Sequence, residues 1–289
     1  MSFDLYFVGV CNFDMDINKF LYSQYSNRGL IQKAINACES DDRKIFIDSG
    51  AWTAFTCNAK INIDEYIWYL NQNAGKFTVI APLDVLPASI NDADRCAEES
   101  WHNFLYMRKR LVDKDKLISV YHQGEPKEHL IRMLTYEDEF GKIDYIGLGA
   151  LASTLDYKTR ELFIEKCFDI ILKYNPSIKV HAFGMTDLKL LELLPFTSAD
   201  SSTYVMAAGM GEIITKFGRV AISSERKDCI KRTSIEGKLL DEYINSFGFD
   251  WDVLASSRIN RVRFNVAYFK NWEQNYSCKY RKNTRKKLF

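Results

Sequence analysis

Three aspartates, Asp48, Asp84 and Asp200, each follow or end a short apolar stretch that is typical of a β-strand. Grouped carboxylates supply a nucleophile and a general acid/base, the two roles that retaining glycosyl transfer requires. A single aspartate after a strand is more often a helix cap or a turn residue. Three aspartates at equivalent positions of one sheet favour chemistry over that simpler explanation.

Glycines and polar residues end three further strand-like stretches, at residues 122–125, 147–149 and 181–184. Neither His122 nor His181 has the H-x-H or H-E-x-x-H spacing of a metal site, so we expect both to be packed or hydrogen-bonded. The glycines are also compatible with ordinary turns, and Gln123 with a role in satisfying loop backbone.

Apolar runs rich in β-branched and aromatic residues alternate along the chain with stretches of helical period. The predicted strands cover residues 5–10, 44–50, 77–85, 117–124, 145–151, 179–185, 196–202 and 218–223. The predicted helices lie near residues 28–38, 63–73, 91–112, 126–137, 158–174 and 186–194.

Strands that alternate with helices predict an α/β protein with a parallel sheet and right-handed crossovers. Eight strands close a (β/α)8 TIM-type barrel, whose active sites lie at the carboxyl ends of the strands. Polar residues at many strand ends favour the barrel, and an open doubly wound sheet is the alternative. We therefore predict a barrel over residues 1–224 and a helical, basic C-terminal extension over residues 225–289.

Positive charge is concentrated at the C-terminal end. Residues 258–289 hold ten basic residues and one acid, a net charge of +9 in a chain whose total is +1, which leaves −8 for residues 1–257. This asymmetry indicates either a polyanionic partner or a solvated tail. The residues predicted to track a phosphate backbone are Lys279, Arg281, Lys282, Arg285, Lys286 and Lys287.

The overall composition excludes several classes of protein. The chain has 289 residues, of which 47% are hydrophobic and 27% charged, as in ordinary globular proteins rather than disordered or collagen-like ones. Its 7 cysteines are dispersed without a C-x-x-C pair, which predicts reduced thiols in a cytoplasmic protein. No basic leader precedes the first apolar run and no run approaches the ~20 residues of a membrane span, so no membrane association is expected.

The strand-end motifs, taken in order, resemble those of the tRNA-guanine transglycosylase superfamily. The matching segments are D-S-G-A-W-T at 48–53, A-P-L-D at 81–84, H-Q-G at 122–124, I-G-L-G-A-L at 146–151, H-A-F-G-M at 181–185 and S-A-D-S-S at 198–202. The resemblance implies a base-exchange reaction in which Asp200 is the nucleophile and Asp48 the general acid/base. The residues that it suggests for binding the base are Asp84, Gln123, Gly124, Gly147 and Gly149. We further predict that the purine stacks between Trp52 and Phe183.

The family's C-x-C-x-x-C…H zinc motif does not follow the nucleophile strand, because only Cys229 and Cys278 lie beyond it and no histidine follows His181. We therefore predict no structural zinc. We also expect no catalytic metal and no organic cofactor, because carboxylates can stabilise the oxocarbenium-like transition state of the implied reaction. In this respect the chain most resembles the DpdA-type enzymes of phages, which place 7-deazaguanines in DNA. The resemblance implies a nucleic acid and a free 7-deazaguanine base as partners, with DNA preferred and tRNA as the alternative.

Two other classes of function remain open from the sequence. A different barrel glycoside hydrolase would also use two carboxylates, but it would have no use for a basic tail. A nucleic-acid-binding barrel without catalytic activity would keep the tail, but it would not require Asp48 and Asp200 to face each other.

Overall fold

The computed structural model describes residues 3–10, 15, 17–37, 43–149, 156–185 and 187–280. The chain divides into two compact units, of which the first comprises Met1–Asp200 with Ser277–Phe289 and the second Ser201–Tyr276. The boundary at residue 224 that the sequence predicted lies further along the chain.

The first unit is built around strands that alternate with helices. The strands are β1 Asp4–Val8, β2 Lys19–Ser23, β3 Lys44–Asp48, β4 Val79–Ile80, β5 Ser119–His122, β6 Glu137–Asp138, β7 Gly141–Lys142, β8 Tyr145–Gly149, β9 Lys179–Ala182 and β10 Ser198–Ser201. The helices are α1 Gln24–Ala37, α2 Ala51–Thr56, α3 Ile63–Gln72, α4 Ala93–Arg110, α5 Lys127–Thr135, α6 Tyr157–Tyr174 and α7 Leu188–Leu193. Side-chain caps begin several of these helices: Asn62 accepts from the Asp64 and Glu65 N–H groups before α3, and Asp156 accepts from the Thr159 N–H before α6.

Eight of these strands form one all-parallel sheet in the order β4-β3-β2-β1-β10-β9-β8-β5. The predicted α/β class is confirmed, but the predicted closed barrel is wrong, because the sheet is curled into a half-barrel. Between its two edge strands the described residues form a single parallel bridge from Ile80 to Leu117, with the Ile118 N–H donating to the Ile80 carbonyl at 3.0 Å. Strand β4 is too short to form a ladder of hydrogen bonds with β5. Pro82, two residues after its end, has no N–H with which to extend the pairing.

One strand of the parallel sheet was missed, and one predicted strand belongs to a different sheet. The missed strand is β2, which runs directly into α1 with no turn residue between them. Residues 218–223 were predicted as the eighth strand, but Gly218–Ala221 is β12 and pairs antiparallel with β11, Glu212–Thr215, in the second unit. A β-branched run does not by itself reveal whether its partner is parallel or antiparallel.

Large apolar side chains fill the inside of the curled sheet. One buried cluster draws on strands β1 to β5 and consists of Tyr6, Leu21, Phe46, Val79, Ala81, Ile118 and Val120. Phe183 and Tyr145 pack against it and are only partly buried. This core supports the carboxyl ends of the strands, where the three aspartates lie.

The second unit combines the β11–β12 hairpin with helices α8 Thr203–Gly209, α9 Ile235–Ser246, α10 Trp251–Ser256 and α11 Arg258–Gln274. The helical character predicted after residue 224 agrees with α9 to α11. Asn265 of α11 is fully buried and joins three elements, because it accepts from the Ile214 N–H at 2.7 Å and donates to the Tyr204 carbonyl at 2.9 Å. No helix in the described part of the chain is long and apolar enough to cross a membrane.

Candidate active site

Asp48 is the last residue of β3, and a tight turn fixes its carboxylate. Its Oδ2 accepts a hydrogen bond at 3.1 Å from the N–H of Gly50, the residue that caps α2. Gly50 has a φ of 87°, and a Cβ at this position would lie 2.3 Å from the Ser23 Oγ. The turn therefore requires glycine for both its left-handed backbone and its close approach to β2.

Burial and the charges of Asp84 and Asp200 together raise the pKa of Asp48 from 3.8 to about 7, although the N–H groups of Gly50 and Ser49 oppose the shift. The effect of both carboxylates on Asp48 places the three aspartates in one electrostatic neighbourhood. A carboxyl group with a pKa near neutrality exchanges protons readily at physiological pH, which is the property of a general acid/base.

The raised pKa of Asp48 predicts that Asp48→Asn stabilises the protein at high pH. A carboxyl whose folded pKa lies above its unfolded value of 3.8 favours folding below 3.8, and this contribution is lost as the pH rises through about 7. Asparagine carries no such cost of ionisation. We expect the melting temperature of Asp48→Asn to exceed that of the wild type at pH 8, and by a smaller margin at pH 5. A difference between the two proteins that is the same at both pH values would show that Asp48 ionises without penalty.

Asp200 lies in β10 and is largely buried. Its Oδ1 accepts two hydrogen bonds, one from the Gly184 N–H at 2.8 Å and one from the His181 Nε2 at 3.1 Å. Among the described residues, both hydrogen-bond donors to this carboxylate therefore bind the same oxygen, Oδ1. Two donors on Oδ1 hold the carboxylate in one orientation and leave Oδ2 for chemistry.

His181 is completely buried and contributes more to the site than the sequence suggested. Its ring packs against those of Phe46 and Phe183, with centroids 4.7 and 4.5 Å away. The prediction that this histidine is packed and hydrogen-bonded is confirmed. Its pairing with Asp200 was missed, because it depends on the parallel register that sets Ser198 opposite His181.

Asp84 follows β4 and pairs with a buried histidine from β5. The Nε2 of His122 lies 3.4 Å from the Asp84 Oδ2, and its Nδ1 lies 3.0 Å from the Glu125 Oε1. Burial acts to lower the pKa of His122, but the two carboxylates outweigh it and raise the pKa to about 10. His122 is therefore a cation at neutral pH, held between Asp84 and Glu125.

Two of the predicted base-binding glycines make room for aromatic rings. A Cβ on Gly149 would lie 2.3 Å from the His122 Cδ2, and a Cβ on Gly147 would lie 2.4 Å from the Phe183 Cε2. These glycines thus allow His122 and Phe183 to occupy their positions over β8. Contacts from their backbones to a base remain a prediction, and residues 150 and 151 of the same motif lie outside the described residues.

The remaining predicted residues of the pocket lie in turns and on the first helix turn after Asp48. Gln123 is half-buried, and Gly124 takes a φ of 97° in the turn that follows β5. Trp52 is 67% exposed, whereas Phe183 is partly buried against the core. A purine stacked between Trp52 and Phe183 stays a prediction, with Trp52 the accessible ring.

Most of the basic tail, including Arg281, Lys282, Arg285, Lys286 and Lys287, lies outside the described residues. Lys279 is described, and its Nζ forms an ion pair with the Glu192 Oε2 at 2.5 Å. The backbone N–H of Lys279 also donates to the Glu192 carbonyl at 2.7 Å. Lys279 therefore anchors the chain before the tail, with its charge already matched by a carboxylate.

Across the described ranges, no three His, Cys, Asp or Glu side chains are grouped as ligands for a metal ion. No family model and no curated protein matches this chain. The chemistry of the site must therefore be inferred from its own residues.

Proposed function

We propose that this protein is a transglycosylase that exchanges guanine in a nucleic acid, preferably DNA, for a free 7-deazaguanine base. The observation that carries the proposal is an aspartate with a pKa near 7, Asp48, beside a second aspartate, Asp200, whose Oδ1 is held by two donors. A nucleophile and an acid/base of this kind are what a covalent glycosyl mechanism needs. The order of the strand-end motifs supports membership of the tRNA-guanine transglycosylase superfamily, with the DpdA-type enzymes as the most similar branch.

In the first step, the Asp200 Oδ2 attacks C1′ of the target nucleoside and the bond from C1′ to the guanine nitrogen breaks. The electron pair of that bond passes to the base, and the protonated Asp48 supplies the proton that the leaving nitrogen takes up. Guanine departs as a neutral molecule. The sugar remains attached to Asp200 as an ester, and Asp48 is left as a carboxylate.

In the second step, the incoming 7-deazaguanine occupies the position that guanine has left. Asp48 removes the proton from the five-membered-ring nitrogen, and this nitrogen attacks C1′ and displaces the Asp200 carboxylate. Asp48 is thereby reprotonated and Asp200 is restored. A pKa near 7 gives Asp48 access to both protonation states within one turnover, and no organic cofactor enters the balance.

Asp84 supplies the recognition of the base. Its Oδ2 faces the His122 cation, whereas its Oδ1 is buried and has no hydrogen-bond partner among the described residues. A buried carboxylate oxygen without a donor is costly, and the N1–H and exocyclic amine of a guanine-type base are suitable donors. Adenine, which has no N1–H, would leave this acceptor less well satisfied.

Asp84→Ala is expected to weaken binding of free guanine by about 2–5 kcal/mol, because the N–H donors of the base then become buried without an acceptor. Isothermal titration calorimetry with guanine measures the loss directly. Asp144→Ala is the matched control, since it removes an exposed carboxylate that directly precedes β8, at the amino ends of the strands. Equal affinities for the wild type and Asp84→Ala would exclude Asp84 from the base pocket.

The nucleic acid is proposed to approach with its target nucleotide outside the stack, because C1′ and the base must both enter the site. Extrusion from a duplex costs a few kcal/mol, so single-stranded or damaged positions are the easier targets. DNA is preferred over tRNA because the chain lacks the zinc motif of the tRNA-acting family members. The basic C-terminal tail would provide affinity for phosphates that does not depend on base sequence.

Deletion of residues 281–289 is expected to flatten the salt dependence of nucleic-acid binding. Each neutralised phosphate contributes about −0.9 to the slope of log K against log salt on duplex DNA and about −0.7 on single strands. The deletion removes five of the basic residues named above but keeps the Lys279–Glu192 ion pair. Titrations of DNA and tRNA at several salt concentrations should give a slope smaller by several units, with binding of free guanine unchanged. Identical slopes would identify the tail as a solvated end.

Incubation with labelled guanine and either DNA or tRNA tests the proposed function. We expect label to enter the polymer, and DNA more readily than tRNA. Label that enters tRNA alone would replace the DNA assignment by the tRNA one. Binding of both polymers without incorporation would favour the inactive nucleic-acid-binding protein, and release of sugar from a polysaccharide would favour the glycoside hydrolase.

A further inference from the structure

Four side chains form a continuous hydrogen-bonded chain inside the first unit. The Tyr145 hydroxyl lies 2.5 Å from the Ser198 Oγ, which lies 2.5 Å from the His181 Nδ1. The His181 Nε2 then reaches the Asp200 Oδ1 at 3.1 Å. Tyr145 and Ser198 are the first residues of β8 and β10, so the chain runs from the amino ends of the strands to the aspartate near their carboxyl ends.

Counting protons gives this chain a single direction. An ionised Asp200 carboxylate can only accept, so the contact between His181 and Asp200 is a hydrogen bond when the His181 Nε2 carries the hydrogen. The Nδ1 is then an acceptor for the Ser198 hydroxyl, and the Ser198 oxygen accepts from Tyr145. If Nδ1 carried the hydrogen instead, the unprotonated Nε2 would face the Asp200 oxygen with no hydrogen between them, and the link between His181 and Asp200 would be lost.

The surroundings of the chain reinforce this direction. His181 is completely buried, and the rings of Tyr6, Phe46 and Phe183 enclose it with centroids 6.2, 4.7 and 4.5 Å away. Burial raises the pKa of Tyr145, and the hydrogen bond with Ser198 offsets only part of this shift. Tyr145 thus remains a hydroxyl donor throughout the range in which proteins work.

We propose that Tyr145, Ser198 and His181 are positioning residues that fix the Nε2–H form of His181 and thereby orient Asp200 for attack through Oδ2. The proposal rests on the function proposed above, since it assigns a purpose to the orientation of the nucleophile. With the other form of His181, an unprotonated Nε2 would face the carboxylate, and lone-pair repulsion would turn Asp200 away from its present orientation. A misplacement of the nucleophile by about 1 Å costs on the order of 100-fold in rate.

His181 was expected from the sequence to be packed or hydrogen-bonded without a role in the reaction, and the proposed mechanism does not use Tyr145 or Ser198 directly. Ser198→Ala removes the donor to the His181 Nδ1, and Tyr145→Phe removes only the first member of the chain. Tyr22→Phe is the matched control, because it deletes a buried tyrosine hydroxyl whose hydrogen bond goes to the Val10 carbonyl. A purely structural effect would be alike in Tyr145→Phe and Tyr22→Phe.

Nitrogen-15 NMR of the imidazoles reports which ring nitrogen carries the hydrogen. The protein has 4 histidines. The signals that are present in the wild-type spectrum and missing from the His181→Gln spectrum belong to His181. We expect the Nε2–H form in the wild type and in Tyr22→Phe, and a mixture of forms in Ser198→Ala. The exchange assay should give a kcat lower by about 10-fold to 100-fold for Ser198→Ala and by less for Tyr145→Phe, with KM for the base unchanged.

An Nε2–H signal that is the same in the wild type and Ser198→Ala would overturn the proposal, as would unaltered kcat values in both variants. Failure of the proposed function gives a different pattern. The wild type would then exchange no base, while the His181 signals would still respond to Ser198→Ala. That pattern would support the hydrogen-bonded chain and reject the transglycosylase.

Discussion

Asp200→Asn is expected to abolish base exchange, with kcat lower by about 10⁴-fold or more. The amide of asparagine cannot form the glycosyl ester, so the covalent route is closed. Its oxygen can still accept from the Gly184 N–H and the His181 Nε2, the two donors that hold Oδ1 in the wild type. The fold and the binding of free guanine should therefore survive the substitution.

Two measurements on Asp200→Asn distinguish a loss of catalysis from a loss of folding. Melting temperature and guanine affinity should remain close to the wild-type values, while incorporation of labelled guanine falls to background. Asp144→Asn serves as the control for a change of charge away from the site, because its carboxylate is exposed and pairs with Lys179. Exchange by Asp200→Asn within about 10-fold of the wild type would remove Asp200 from the role of nucleophile.

Asp48→Asn is expected to lower kcat by about 10²-fold to 10⁴-fold, the usual contribution of a positioned acid/base. Asparagine can neither protonate the leaving guanine nor deprotonate the incoming base. Binding of free guanine should change little, because recognition is assigned to Asp84. The same substitution should raise stability at pH 8, so activity and stability are expected to move in opposite directions.

The role assigned to Asp48 also predicts how the kcat of exchange depends on pH. In the wild type, kcat should be greatest near pH 7, where Asp48 is present in both forms. Below that pH, too little carboxylate is available to deprotonate the incoming base, and above it too little acid is available for the leaving group. Asp48→Asn should lose this maximum together with the rate. A wild-type profile that is flat from pH 5 to 9 would exclude Asp48 as the acid/base.

Periodicity predicted the helices well and the sheet only in part. Helix α6 was expected over residues 158–174 and spans Tyr157–Tyr174, because its apolar positions recur at intervals of three and four. Closure of the sheet was not predictable, since it depends on hydrogen bonds between β4 and β5 rather than on the composition of either strand. Strand β2 was missed because it ends at Ser23 and α1 begins at Gln24, so no turn residue separates the strand from the helix.

The position of the three aspartates at strand ends was visible in the sequence, whereas the histidines that pair with two of them were not. His122 contacts Asp84 and His181 contacts Asp200 only once the strands are in register. Gly149 stands directly opposite His122 across β5 and β8, but this pairing also depends on the register and could not be read from the sequence. A glycine across from a buried aromatic ring marks a place where the ring needs room.

Trapping of the covalent intermediate is the most direct test of the mechanism. The wild-type protein would be incubated with DNA or tRNA in the absence of free base, denatured, digested with a protease, and analysed by mass spectrometry. We expect a nucleic-acid fragment linked to the peptide that contains Asp200, and no such adduct with Asp200→Asn. An adduct on any other residue, or exchange of labelled guanine with no adduct, would contradict it.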